Sequence, residues 1–406
     1  MSAPSTMRRT PLVALLAADG VSRAGNAITT VAIPLIALDV GGSPLAAAAA
    51  GVAATLPLVL GGLLGGVVVD RLGFRRASIA ADAVSGVTVL AVPLLASVDA
   101  LSLGALLLLV FLSNLLDAPG SSARFSQLPE LAELAGVDLP RAAAAQATVS
   151  RTAMMLGAAL AGLLIATVGA APAMIVNGIA FALAILLTIA FVPRMALATA
   201  GHERDETGGW RGITAGLRFV WRTPLIRAVV LLVVVTNAID IAGVTVLKPV
   251  YAESLGNDGA ELGIMIACMS GGALVGAALY GIIGDRLPRH ALFVVLFILT
   301  GVPPYLTMAL APPFPVVAVV LVLSGLAAGP LNPLIDSALL GLVPADIRAR
   351  VIGAITAGVA AAMPVGSLLA GIGVDLLGLT TTLVLASATY LAAILSLSFG
   401  RRWQGF

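Results

Sequence analysis

The sequence predicts an all-α membrane protein with twelve transmembrane helices in two pseudo-symmetric six-helix halves. Three observations predict it. The composition is 60% hydrophobic and 10% charged, where a soluble domain carries about 25% charged residues. Apolar stretches near twenty residues long recur from end to end, each able to cross a bilayer core at about 1.5 Å rise per residue. The second half of the chain repeats landmarks of the first.

The twelve spans are expected at about 11–38, 45–68, 77–98, 101–122, 142–168 and 171–193, then 226–251, 259–283, 290–311, 314–338, 350–376 and 379–400. The first begins with "MRRTPLVALLAA", which has the basic start and apolar middle of a signal peptide. Its apolar pattern runs on to Leu38, beyond a signal's apolar region, and a short "DVGGSP" turn leads into the next segment. It is therefore read as a span.

Charge placement sets the orientation, because Lys and Arg in short loops stay on the cytoplasmic side. With the N-terminus inside, the even-numbered connections hold Arg71, Arg75, Arg76, Arg124, Arg141, Arg194, Arg204, Arg211, Arg218, Arg222, Arg286, Arg289, Arg348 and Arg350. The odd-numbered connections hold no Lys or Arg and carry acids such as Asp39, Asp99, Glu253, Asp258 and Glu261. Both termini are thus expected in the cytoplasm, and the net charge of +2 says nothing about nucleic acid.

The longest polar stretch, "GHERDETGGWRG" and its flanks, separates two sets of six spans. The expected organisation is an N-terminal half at 1–193, a cytoplasmic linker at 194–225 and a C-terminal half at 226–406. At an offset of 215, "VAIPLIALDVGG" falls on "VLKPVYAESLGN", so that Pro34 meets Pro249, and Gly66, Asp70 and Arg71 meet Gly281, Asp285 and Arg286. At an offset of 211, "LSNLLDAP" falls on "LSGLAAGP". Such repeats put a transporter's substrate path where the two copies meet.

The stretch "GGVVVDRLGFRR" resembles the loop signature of the major facilitator superfamily, G-x-x-x-D-R-x-G-x-R-R, through Gly66, Asp70, Arg71, Gly73, Arg75 and Arg76. Its second copy, "GIIGDRLPRH", matches in part, with Pro288 in place of the loop glycine. Four further stretches resemble the drug-efflux branch that includes macrolide and siderophore exporters: "SRAGNAITTVAIPL", "DAPGSSARFSQLPEL", "GLRFVWRTPLIRAVVL" and "LVPADIRARVIGA". Asn26 stands where many relatives have an acid, and "LGAALAGLL" in span five lacks the G-P-x-x-G-G pattern of other drug-antiporter branches.

Asp70 ends span two, where its carboxylate can meet a helix N-terminus or a cation. Gly66 admits a close helix neighbour, and Gly73 permits a tight turn. Arg75 and Arg76 are expected to hold the loop inside and to pair with Asp117. The resemblance implies a latch, built from these residues with Asp285 and Arg286, that keeps the outward-facing state closed on the cytoplasmic side. Asp70→Asn should then leave insertion intact, favour inward-facing states and slow transport. Wild-type transport with unchanged cysteine accessibility on the cytoplasmic side would reduce the arginines to topology signals.

Ionisable groups at membrane depth are informative because each costs about 2.5 to 3.5 kcal/mol at a helix centre. They are Asp19 and Arg23 in span one, Arg151 in span five, Asp240 and Lys248 in span seven and Asp336 in span ten, with Asp82 and Asp117 nearer the inner ends of theirs. Asp19 and Arg23 share a helix face, so a structural ion pair and a substrate or proton role both fit. Lys248 is expected to snorkel to the outer surface. Arg151 fits an interfacial anchor or a cavity charge. A proton carrier has to sit away from fixed cations, and Asp240 meets this by sequence, flanked one turn away by Thr236, Asn237, Gly243 and Val244. The substrate and proton site is accordingly expected at Asp19, Arg23, Asn26, Asn237, Asp240 and Asp336.

Other chemistries are excluded. Lys248 is the single lysine, so there is no G-x-x-x-x-G-K-[ST] phosphate loop. His202, His290 and Cys268 are too scattered for a multi-His/Cys metal site or a disulfide. The expectation is a monomeric, cofactor-free, multi-pass carrier of a bacterial plasma membrane, not an enzyme. Its partners are a small-molecule substrate, protons and membrane lipids, and it exports small hydrophobic or amphipathic compounds by proton antiport. A dedicated siderophore or metabolite exporter, a proton-coupled importer and a non-transporting scaffold or receptor are the alternatives.

Overall fold

Backbone N–H and C=O groups in hydrocarbon have to be paired within their own segment, which leaves helices as the simplest spanning element. Every regular element among the described residues is helical. The computed structural model describes residues 9–193, 218, 220–256, 260–283, 289–335 and 348–397; no side chain is described at 58–71, 118, 140, 166, 260, 283, 289, 348–350, 352–354 or 397.

Spans one to six are the helices Thr10–Gly41, Pro44–Leu72, Phe74–Ser97, Leu103–Leu115 continued by Asp117–Ala135, Leu139–Val168 and Ala170–Phe191. Spans seven to twelve are Pro224–Ser254, Ala260–Ile283, Arg289–Leu310, Phe314–Ala328, Arg348–Leu377 and Leu379–Leu397. Among the described residues eleven helices are long and apolar enough to cross a membrane, and Pro44–Leu72 adds an apolar stretch over Pro44–Pro57. Large apolar side chains such as Leu94, Leu163, Ile282 and Leu376 remain exposed, which suits lipid as the surrounding solvent.

Span four departs from expectation. The stretch after residue 122 was expected as a loop, with Arg124 marking the cytoplasmic side, but the helix continues to Ala135. The break at Leu116 has a local cause, since Pro119 has no N–H for the Leu115 carbonyl. The continuation ends at Gly136, whose left-handed φ of 65° lets its N–H reach the Ala132 and Glu133 carbonyls.

Contacts divide the chain into two compact units. Unit 1 holds 1–41, 53–198 and 258–263, and unit 2 holds 42–52, 199–257 and 264–406. In unit 1, span one packs on spans five and six, and span three on spans four and six. Unit 2 repeats this pattern, with span seven on spans eleven and twelve and span nine on spans ten and twelve. The shared internal pattern is the structural form of the sequence repeat. Leu12, Leu15, Leu128, Leu131 and Val192 form a core in unit 1. Leu232, Tyr251, Phe293, Tyr305, Leu321 and Tyr390 belong to that of unit 2.

Candidate functional site

Unit 1 encloses a cluster of charges at membrane depth. Asp19 is 1% exposed, and its Oδ2 accepts from Arg23 Nε at 2.9 Å and from Ser150 Oγ at 3.0 Å. Its other oxygen lies 3.8 Å from Arg124 Nη1. Arg124, 2% exposed, donates through Nη2 to Asp82 Oδ1, which also accepts from Ser22 Oγ at 3.2 Å. Asn26 Nδ2 donates to Asp117 Oδ1 at 3.1 Å. Spans one, three and four thus place three carboxylates and two guanidiniums together, and span five adds Ser150, with Asp19 Oδ1, Asp82 Oδ2 and Arg124 Nε buried and without a hydrogen-bond partner.

Small residues make this enclosure possible. A Cβ at Gly157 would meet the Ala24 carbonyl and lie 2.8 Å from Ala24 Cα, so span five touches the backbone of span one, about one to two turns along from the Asp19–Ser150 bond. A Cβ at Gly120 would lie 2.5 Å from Ala81 Cβ, which sets span four against span three one residue before Asp82.

Of the residues expected at the substrate site, the structure therefore brings together Asp19, Arg23 and Asn26, with Asp117 from the expected latch. Arg124 and Asp82 were missed as site residues. A signal for Arg124 is present in the sequence: no other basic residue lies between Arg76 and Arg141, whereas Arg71, Arg75 and Arg76 cluster.

The latch residues are placed differently. Gly73 adopts φ 75° between spans two and three. Arg75 donates to the Val192 carbonyl at 2.8 Å and the Ile189 carbonyl at 2.9 Å, where a cation suits the C-terminal end of span six. Asp117 instead faces Asn26, so the expected Arg75–Asp117 pair is replaced by these two contacts. Arg76 is exposed. Gly66, Asp70 and Arg71 lie in the helix Pro44–Leu72 at positions whose side chains are outside the description, and Asp285, Arg286 and Asp336 lie outside the described residues altogether. Arg151 is exposed.

In unit 2, Asp240 does not stand apart from cations. Lys248 is 3% exposed rather than snorkelled, and it attracts Asp240 electrostatically. The intervening turn, Gly243–Leu247, is a π-helix, in which Lys248 N–H reaches the Gly243 carbonyl, five residues back. Pro249 explains the widening, since its ring would crowd the Thr245 carbonyl in a regular helix. The Tyr305 hydroxyl donates to the Ile239 carbonyl at 3.0 Å, and the absence of a Cβ at Gly243 leaves room for that phenol. The amide of Asn237 turns back to the Val233 carbonyl at 2.8 Å and so serves its own helix.

Spans seven, eleven and twelve also border an open cavity of about 480 Å³, within the usual range for a small-molecule site. Its wall is aliphatic, with Val235, Ile239, Val365 and Leu369 among its residues and the hydroxyls of Thr382 and Thr389 as polar exceptions. A sequence cannot show such a space, because it arises between helices more than a hundred residues apart.

Comparison with known proteins agrees with this architecture. A multidrug efflux pump, Tap, of Mycolicibacterium fortuitum is 35% identical over 384 residues, covering 94% of this chain and 93% of the relative. The Tap pump of Mycobacterium tuberculosis is 34% identical over 377 residues, covering 92% and 89%. Among solved structures, the nucleoside transporter NupG shares the fold with a TM-score of 0.75 at 12% identity, covering 95% of this chain and 98% of that one. A D-xylose-proton symporter has a TM-score of 0.70 at 16% identity, covering 97% of each. The family described as transmembrane secretion effectors matches residues 1–402, and the chain belongs to that family of major facilitator transporters.

Proposed function

We propose that the chain exports small hydrophobic or amphipathic compounds, drugs among them, by alternating access and in exchange for protons. It would do so in a bacterial plasma membrane with both termini in the cytoplasm. The observation that carries the proposal is the charge of the cluster in unit 1. Three carboxylates, Asp19, Asp82 and Asp117, against two guanidiniums, Arg23 and Arg124, leave one negative charge when all are ionised. An unbalanced charge at membrane depth is costly. A proton or a cationic substrate each neutralises it, so binding of one expels the other, which is the exchange an antiporter requires. The aliphatic cavity of unit 2 supports an apolar substrate body, and the multidrug pumps among the relatives support the substrate class.

For a neutral compound, one proton crossing about 150 mV supplies roughly 3.5 kcal/mol, which sustains a gradient of a few hundredfold at about 1.4 kcal/mol per factor of ten. A singly charged cation exchanged for one proton moves no net charge and is driven by the pH gradient alone.

Cells carrying the gene should accumulate less ethidium, and collapsing the proton gradient should erase the difference. Purified protein in weak buffer should release about one proton per bound cation, read with a pH dye. Asp19→Asn should cut that release by half or more. Ethidium efflux that survives collapse of the gradient would refute proton antiport while leaving export standing.

A further inference from the structure

The charges of span seven are brought together by the shape of their own helix. In a regular α-helix two turns take 7.2 residues, so residues eight apart lie off one another's face. The π turn at Gly243–Leu247 takes up about one residue more, and two turns then take about eight. This carries Lys248 back onto the face of Asp240, and its side chain leans toward the N-terminal end of the helix, where Asp240 lies.

The two groups do not close into an ion pair. Among the described residues no contact within 4 Å joins them, and Lys248 Nζ has one hydrogen-bond partner, Met269 Sδ at 3.4 Å. A thioether is a weak acceptor for an ammonium with three donors. Three residues on, and so on the same helix face, the hydroxyl of Tyr251 is buried without a partner. Asp240 is half-buried and accepts no hydrogen bond among the described residues. Two phenols that feel its charge are committed elsewhere: Tyr305 donates to the Ile239 carbonyl, and Tyr390 bonds with Thr236. A buried ammonium, a carboxylate and a phenol therefore share one side of span seven with their strongest hydrogen bonds unmade. Buried polar groups in that condition are costly unless something completes them.

We propose that Asp240 and Lys248 form a bipolar substrate subsite, in which one neutral group that both donates and accepts, such as an amide or hydroxyl, donates to Asp240 and accepts from Lys248. A quaternary cation can use only half of such a site, because it meets Lys248 as a like charge and has no oxygen to offer it. The subsite rests on the export reading given above and deepens it: it selects among exported compounds by hydrogen bonding, while the cluster of unit 1 answers to charge. Tyr251 Oη stands as the third group able to meet the substrate.

Two probes separate these chemistries. Chloramphenicol is neutral, with an amide and two hydroxyls, and tetraphenylphosphonium is a cation without a hydrogen-bonding group. Binding to the purified full chain is measured by calorimetry. Lys248→Met should weaken chloramphenicol about tenfold or more, the loss of one charge-assisted hydrogen bond. The same change should tighten tetraphenylphosphonium, because Asp240 is then an unopposed anion. Asp240→Asn added to Lys248→Met should return the cation to near its original affinity without restoring chloramphenicol. Thermal unfolding of each variant distinguishes a lost contact from a lost fold, and Lys248→Arg, which keeps the charge and the donors, should retain chloramphenicol within a few fold if the site is as described. If Lys248→Met leaves both affinities unchanged, or lowers both equally, the subsite is refuted while export stands. If the parent chain binds tetraphenylphosphonium but not chloramphenicol, the subsite is likewise refuted. Failure to bind either probe overturns the export reading with it.

Discussion

Arg124→Gln is expected to abolish efflux and to destabilise the protein by about 3 to 5 kcal/mol, the cost of removing one partner from a buried charge pair. The guanidinium is the group that joins Asp82 to Asp19. Without it Asp82 keeps Ser22 as its remaining partner, and Asp19 keeps Arg23 and Ser150. The cluster would then hold three carboxylates against one guanidinium, two negative charges in excess in an apolar surround. Thermal unfolding in detergent measures the first effect and ethidium efflux from cells the second. Adding Asp82→Asn to Arg124→Gln removes the stranded charge and should restore at least half of the lost stability without restoring efflux. Arg124→Lys keeps the charge but loses the planar fork that reaches two carboxylates at once, so it should fold and transport poorly. Parent-like stability and efflux in Arg124→Gln would mean that the cluster neither holds the unit together nor takes part in exchange.

Gly157→Val is expected to cost about 3 kcal/mol, the upper end of the usual range for overpacking. The new side chain would run into the backbone of Ala24, which has no rotamer to change. Spans one and five would be forced apart about one to two turns from where Ser150 meets Asp19, so binding of cations should fall together with stability. Gly157→Ala should show the same effects in smaller measure. Gly104, where a Cβ would meet nothing within 4 Å, is the control: Gly104→Ala should unfold within a degree or two of the parent. A Gly157→Val variant as stable as that control would show that the close approach of spans one and five is dispensable.

The contrast between Arg124 and Lys248 on one side and the span pattern on the other follows from how far each reports on its surroundings. By sequence Arg124 falls in a loop, since the stretch after Asp117 is rich in Ser, Gly, Pro and Glu, all poor marks for a membrane helix. Its partners make it a buried residue, and they lie 42 positions away at Asp82 and on span one at Asp19. Lys248, near the end of an apolar run, is expected by sequence at the surface. The π turn that directs it to Asp240 depends on Pro249, on Gly243 and on Tyr305 from span nine, of which two are visible locally and none announces a wide turn by itself. Gly73 was legible, since a glycine between two helices with arginines beyond it reads as a turn, and its φ of 75° is one.

By itself the sequence determined the twelve spans, the duplication and the membrane class, because a bilayer tests each segment alone, for length, apolarity and internally paired backbone. Only the tertiary structure decided which charges share a site. A charge at depth is tolerated or not according to the groups packed around it, and in this chain those groups come from four spans in unit 1 and, in unit 2, from a change of helical pitch.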